Sequence, residues 1–402
     1  MRQVRTAFRP YPSPVRARLL ALALAGAGLI AAGPALAAPD GKVRVGLMLP
    51  YTGNYASLSK AISNGFKLYV AENGGKLGGR EVEYFSVDDE SDPAKATENA
   101  SKLIKEDKVD VLVGTVHSGV ALEMARVARE HKVLLIDPNA GADELTGSLC
   151  HPTFFRTSFS LWQPAYAMGK VVAGKGHKRV VTLTWKYAGG QQSVDGFKEG
   201  FEQGGGKVIK ELSLPFPGVE FRPFLTELAS LKPDAVFVFF AGAGAAKFVK
   251  DYAASGLKKS IPLYASGFLT DGTLPAMGEA GSGVLTTLHY ADGLDNRKDT
   301  AFRSAYARSY GQQPDVYAVQ GYDTAQLYQA GLAAAGGNAS RQEVIIKAME
   351  AAKIDSPRGP FTLSKAHNPV QDIYLRQVEG GRNKVIATPI KALADPARGC
   401  KM

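Results

Sequence analysis

The chain has 402 residues, with 48 lysines and arginines against 38 acidic residues and a formal charge of +10 at pH 7. Five of the arginines and no acid fall in residues 1–37, so the remainder sits near +5, its basic residues scattered among acids without a run. That pattern disfavours nucleic acid as a partner, and no apolar stretch near twenty residues follows position 37, which disfavours a membrane span.

Residues 1–37 have the form of a secretory signal peptide. Arg2, Arg5, Arg9, Arg16 and Arg18 make a basic start, residues 19–32 an apolar run, and Ala35-Leu36-Ala37 a small-residue cleavage site. We expect cleavage after Ala37 and a periplasmic product. What remains is more than one ordinary core serves and suits two lobes. An exported chain with two cysteines, Cys150 and Cys400, points to a disulfide between the C-terminal tail and the first crossover; two unpaired buried thiols are the alternative.

A strand over 43–49 leads through Pro50-Tyr51-Thr52-Gly53-Asn54-Tyr55 into a helix whose apolar positions include Ile62, Phe66, Leu68 and Tyr69. A Gly-rich hairpin, a strand over 82–87 and the acidic loop Asp88-Asp89-Glu90-Ser91-Asp92 follow. We read that loop as a solvated cap for the helix opened by Pro93 rather than a cation site. Next comes the most informative unit, VDVLVGTVHSGVALEMARVAREHKVLLIDPNAGA: a buried strand over 109–113, a small-residue loop, a helix beginning near Ser118, a second strand over 133–136 and a second small-residue loop. In an open parallel sheet, ligands bind at such strand ends, and the first turn of a helix favours an anion such as a carboxylate.

Residues 151–163 break the pattern as a crossover. A second series then alternates helix 165–174, strand 180–184, helix 194–203, strand 208–214, helix 221–231, strand 235–240, helix 245–255 and strands 262–265 and 283–288. Helices over 301–310, 316–335 and 341–351 and two strand-like runs within 359–388 complete the chain. The alternation predicts an α/β fold with largely parallel sheets.

Taken together, KVRVGLMLPYTGNYASLSKAISNGFKLYVAENG, VLVGTVHSGVALEMARVA, LLIDPNAGADEL, FFRT, the Tyr187 loop, FFAGAGAAKFVKDYAASGL and YAVQGYDTAQLYQAG resemble the periplasmic substrate-binding proteins of ABC importers, in the leucine/isoleucine/valine-binding branch. The resemblance covers residues 42–390. It implies two Rossmann-like lobes with parallel sheets joined by three crossovers, closing on a small ligand: 41–160 with 290–357 as one lobe and 161–289 with 358–402 as the other. It also implies a monomer that docks on permease subunits in the inner membrane. Ligand-touching positions of that family map onto Leu58, His117, Ser118, Gly119, Asn139, Ala140 and Gly141 in the first lobe. In the second they map onto Tyr187, Ala241, Gly242, Ser266, Gly267 and Phe268.

One departure sets the expected ligand. Amino-acid binders of this type hold the ligand ammonium with an acid in the loop after the strand that here ends at Ala265, whereas this chain has Ser266-Gly267-Phe268-Leu269-Thr270, with Asp271 only beyond. A buried ammonium without a carboxylate is costly. Phe159, Trp162, Trp185, Tyr187 and Phe268 could sandwich a planar ring, and His117 could donate to a carboxylate or a phenolic hydroxyl. The expectation is therefore an aromatic carboxylate of the hydroxycinnamate or benzoate kind. The alternatives are branched-chain or other amino acids, or a ligand-sensing receptor domain, which would need a fused signalling segment.

No enzyme is expected. Gly242-Ala243-Gly244-Ala245-Ala246-Lys247 imitates a dinucleotide fingerprint but ends in Lys247, and no G-x-S-x-G elbow occurs. The remaining histidines (His131, His151, His177, His289 and His367) lack paired metal-ligand spacing. We expect no catalytic residue, no metal and no cofactor.

Overall fold

The computed structural model describes residues 41–402. The signal-peptide reading of residues 1–37 lies outside them. Residues 41–402 form one compact unit built on two sheets.

The first sheet contains β1 (Val43–Leu49), β2 (Lys76–Leu77), β3 (Arg80–Asp88), β4 (Val111–Val113), β5 (Leu134–Asp137) and β6 (Phe154–Arg156), in the order β2-β3-β1-β4-β5-β6. All pairings are parallel except the β2–β3 hairpin. The strands β1, β4 and β5 are buried on both faces, which is why they read as continuous apolar runs. Helices α1 (Ala56–Glu72), α2 (Pro93–Lys105) and α3 (Ser118–Glu130) cover them. Asp92 caps α2 by accepting from the Ala94 amide, as the acidic loop led us to expect.

The second sheet follows α4 (Trp162–Gly174). It contains β7 (Arg179–Lys186), β8 (Lys207–Pro215), β9 (Ala235–Phe239), β10 (Leu263–Ser266) and β11 (Leu285–Leu288), interleaved with α5 (Ala188–Glu202), α6 (Arg222–Leu231), α7 (Gly242–Ala254) and the single turn α8 (Leu274–Met277). The chain then supplies α9 (Arg297–Tyr310), α10 (Val316–Ala334) and α11 (Gln342–Glu350) to the first sheet. It ends with β12 (Thr362–Leu363), β13 (Pro369–Glu379) and β14 (Arg382–Leu393). The order is β12-β13-β11-β10-β9-β7-β8 with β14 on β13, so a C-terminal antiparallel hairpin extends a parallel core. The fold is therefore the expected α/β type with two parallel-sheet lobes. The antiparallel extension was not anticipated.

Two glycines seat α10 against α1. A Cβ on Gly65 would lie 1.9 Å from the Ala318 carbonyl oxygen, and one on Gly321 would lie 2.0 Å from that of Ile62. The backbones touch because neither helix carries a side chain there. This contact fixes α10, which is buried along most of its length, beside the opening between the sheets.

Cys150 and Cys400 are bonded, with their Cα atoms 5.5 Å apart. After β14 the tail leaves the second sheet and returns to the first lobe at the loop preceding β6.

Candidate functional site

The carboxyl ends of β1, β4, β5, β7, β9, β10 and β11 open on the space between the sheets. Each of the two predicted loops is held from behind by a buried aspartate. Asp89 receives the Thr115 hydroxyl, and Asp137 accepts the amides of Asn139 and Ala140 at 2.9 and 2.8 Å. Burial raises both carboxyls, to about 6 for Asp89 and about 8 for Asp137.

Helix α3 begins at Ser118, where sequence placed it. His117 caps it, its Nδ1 accepting from the Gly119 amide at 3.2 Å. Burial lowers the His117 pKa to about 4, so the imidazole is neutral at pH 7. With Nδ1 accepting, the ring proton resides on Nε2, which is thereby a donor. His117 takes the Gly119 amide on Nδ1 and the Ala121 amide on its carbonyl, which leaves the Ser118 and Val120 amides to favour an anion.

Aromatic rings line the wall from this point. His117 stacks on Tyr187 at 4.7 Å between centroids, Tyr187 meets Phe239 at 6.4 Å, and Phe239 meets Phe268 at 6.0 Å. Phe268 packs on Phe159 at 4.4 Å, and Phe159 lies against His289 at 5.7 Å. Gly141 makes room for Phe159, since a Cβ there would lie 2.5 Å from its ring. The contacts thus run from His117 at one end to His289 at the other, with residues of both sheets contributing to them.

At the far pole, the Asn139 side-chain amide donates to Gln320 Oε1 at 2.7 Å, and Gln320 Nε2 lies 3.4 Å from His289 Nε2. Burial and the nearby Arg358 and Arg376 hold His289 well below the usual imidazole range. His289 Nδ1, Ser266 Oγ and Tyr317 Oη are buried with no hydrogen-bond partner among the described residues.

The lobes meet across this wall. Asn54, in the turn before α1, donates from Nδ2 to the Ala241 carbonyl at 3.1 Å and accepts the Gly244 amide on Oδ1 at 2.8 Å. Gly242 sits between, with φ +63°, and a Cβ on it would lie 2.2 Å from the Asn54 carbonyl oxygen. Tyr55 and Tyr187 bring their hydroxyls to 3.5 Å across the same seam. Leu58, in the first turn of α1, joins the apolar cluster that contains Tyr55, Phe159 and Phe268.

Asp271, the first acid after β10, and Asp323, on α10, are each paired with an arginine. Asp271 receives Arg376 Nη2 at 2.7 Å, and Arg376 also donates to the Tyr290 carbonyl. Asp323 lies 3.2 Å from Arg358 Nε, and Arg358 donates onward to the Ser158 carbonyl and to Gln371 Oε1. All four side chains are buried.

Of the predicted residues, His117, Ser118, Gly119, Asn139, Ala140, Gly141, Phe159, Tyr187 and Phe268 share the wall and its two loops. Ala241 and Gly242 form the seam, and Ser266 and Gly267 close the end of β10. Trp162 is not brought there. It opens α4, stacks on Tyr166 at 4.4 Å and donates to Glu199 at 2.8 Å, at an edge cavity of about 220 Å³ with Asp143, Gln192 and Arg398. The sequence reading began α4 three residues late, which left Trp162 in the crossover instead of on a helix. Trp185 is core: its indole donates to the Gly218 carbonyl at 2.8 Å. Sequence reasoning passed over Tyr55, Phe239, Tyr317 and Gln320, and gave His289 no ligand role. The one available signal was Tyr317 and Gln320 three apart in YAVQGY, which share a helix face. Among the described residues no cluster suits a metal ion and no helix is long and apolar enough to cross a membrane.

Comparison with known proteins gives the same picture. A family model described as periplasmic binding protein matches residues 42–383. The chain is similar to a solute-binding protein of an ABC transporter from R. palustris, solved in complex with benzoate. The two are 51% identical with a TM-score of 0.88, over 90% of this chain and 100% of that one. It is also similar to one from Rhodopseudomonas palustris BisB5 in complex with 3,4-dihydroxybenzoic acid, at 36% identity and a TM-score of 0.83 over 88% and 99% of the two chains. Leu/Ile/Val-binding protein homolog 6 of Brucella melitensis biotype 1 is 31% identical over 345 residues, 84% of this chain and 87% of that protein.

Proposed function

The chain belongs to the periplasmic binding protein family, and from that premise we propose that it captures an aromatic carboxylate of the benzoate or hydroxycinnamate class between two closing lobes and delivers it to an ABC importer. Family membership implies a periplasmic location and a transport role rather than catalysis. We assign 41–160 with 290–357 to one lobe and 161–289 with 358–402 to the other. Residues 1–37 serve as the export signal, and a monomer docks on the permease subunits.

The observation that carries the ligand class is the engagement of Asp271 by Arg376 and of Asp323 by Arg358. An α-amino acid would bury its ammonium against aromatic rings and neutral donors, at a cost of several kcal/mol. An aromatic acid avoids that cost. Its carboxylate would meet the α3 amides, the Ser118 hydroxyl and His117 Nε2–H, and its ring would lie along the Tyr187–Phe268–Phe159 wall. The benzoate and 3,4-dihydroxybenzoic acid complexes of the two R. palustris proteins support this reading.

Branched-chain amino acids are the second reading, favoured by the names of the Brucella relatives. A thermal-shift screen separates the two, because a ligand at 100 times its Kd adds about 2.7 kcal/mol to the folded state. We expect benzoate- or cinnamate-type acids to raise Tm by several degrees and leucine, isoleucine and valine to leave it unmoved. The opposite result would replace the first reading by the second.

A further inference from the structure

His289, in the connection after β11, has its protonation pattern fixed by its neighbours. Gln320 Oε1 accepts from Asn139, so the other atom of that amide, Nε2, is the one facing His289 Nε2. An amide NH2 can only donate, so His289 Nε2 must accept. A neutral imidazole that accepts at Nε2 carries its proton on Nδ1. That N–H is buried and has no partner among the described residues.

Two further unpartnered hydroxyls accompany it. Ser266 ends β10, the strand paired with β11, with Ser266 in register with Thr287, two residues before His289. Tyr317 lies one turn before Gln320 on α10, on the same helix face. A buried donor without a partner is destabilising, and His289 Nδ1–H, with unpartnered hydroxyls on the neighbouring strand end and on α10, would be satisfied by a partner from outside the chain. The wall sets what that partner is. His289 lies against Phe159, which packs on Phe268, so a ring laid on these two presents a substituent toward His289.

We propose that His289, held by the Asn139–Gln320 relay and flanked by Ser266 and Tyr317, receives a ring hydroxyl, so that the site selects hydroxylated aromatic acids over benzoate itself. The inference rests on the aromatic-acid reading above and assigns its second pole. His289 Nδ1–H donates to the phenolic oxygen, and the Ser266 or Tyr317 hydroxyl accepts the phenolic proton. A site built to bond a hydroxyl rejects the analogue without one far more strongly than an apolar pocket rejects an added group.

The test is calorimetric titration of the whole mature protein with benzoate, 3-hydroxybenzoate and 4-hydroxybenzoate. The wild type should bind at least one hydroxy isomer tenfold or more tighter than benzoate. His289→Phe keeps the ring beside Phe159 but removes the donor; it should bring all three acids within threefold of one another, so the ratio of their affinities, not the benzoate affinity itself, is the readout. His289→Asn returns an N–H donor near the Nδ1 position and should recover part of the preference, which a loss of folding would not allow. Wild-type protein that binds benzoate as tightly as both isomers, or His289→Phe protein that keeps the preference, overturns the inference while leaving the aromatic-acid reading intact. Binding of leucine and of none of the three acids overturns both.

Discussion

Replacing Gly242 by alanine tests whether closure of the two lobes sets affinity. A Cβ at this position would meet the Asn54 carbonyl oxygen at 2.2 Å, more than 1 Å inside an ordinary contact, and the obstacle is backbone of the other lobe. The seam must open by roughly 1 Å, which lengthens the Asn54–Ala241 and Asn54–Gly244 hydrogen bonds. Each contributes about 0.5–1.5 kcal/mol. With the lost packing, the closed form should weaken by about 2–3 kcal/mol, a rise in Kd of roughly 30- to 150-fold. The left-handed backbone at Gly242 adds about 1–2 kcal/mol of strain for alanine, but in open and closed forms alike. That part therefore appears in the Tm of the unliganded protein and cancels from Kd, because only a difference between the two forms shifts their populations. Calorimetric titration gives Kd, and a melting curve without ligand gives the strain. A folded Gly242→Ala protein that binds its ligand within threefold of wild type would refute the view that this seam closes on the ligand.

Asp271→Asn should lower stability by about 3–5 kcal/mol, because Arg376 then keeps a buried charge without its counterion. The loss in Tm should be equal with and without ligand; a loss confined to Kd would mean that Asp271 serves the ligand after all. His117→Phe should remove a pH dependence. The folded imidazole titrates at about 4, below its unfolded value near 6.5, so its contribution is complete above pH 6.5 and is lost as pH falls toward 4. Wild-type stability relative to His117→Phe should therefore fall by about 3 kcal/mol between pH 7 and pH 4. Parallel urea titrations at those two pH values measure it, and a constant difference would contradict a neutral, buried His117.

The half of the cleft made by β4, α3 and β5 was legible because everything it needs is local. An apolar run, a loop of small residues and a helix with a cap follow one another within about thirty residues, and Ser118 opens the helix as read. The disulfide was legible from compartment and parity alone. Trp162 was misplaced by a boundary: without a capping side chain at Leu161, nothing in the sequence marks the start of α4. The far pole was hidden for another reason. Asn139, His289 and Gln320 meet from three separate stretches, 181 residues apart at the widest, and each alone is an ordinary polar residue. Asp271 was noted just beyond the loop after β10, but its engagement depends on Arg376, 105 residues later in a strand-like run whose antiparallel pairing the sequence did not reveal.

The cystine at the C-terminus has a mechanical side. Lobes joined near one edge can swing apart and also twist, and the joints themselves set no outer limit. The segment from Leu393 to Cys400 is a short leash between the last strand of one lobe and the rim of the other. Fully stretched, its seven residues reach roughly 25 Å, which fixes a maximum gape on that side. Because the anchor is covalent, that limit holds however often the lobes part and meet.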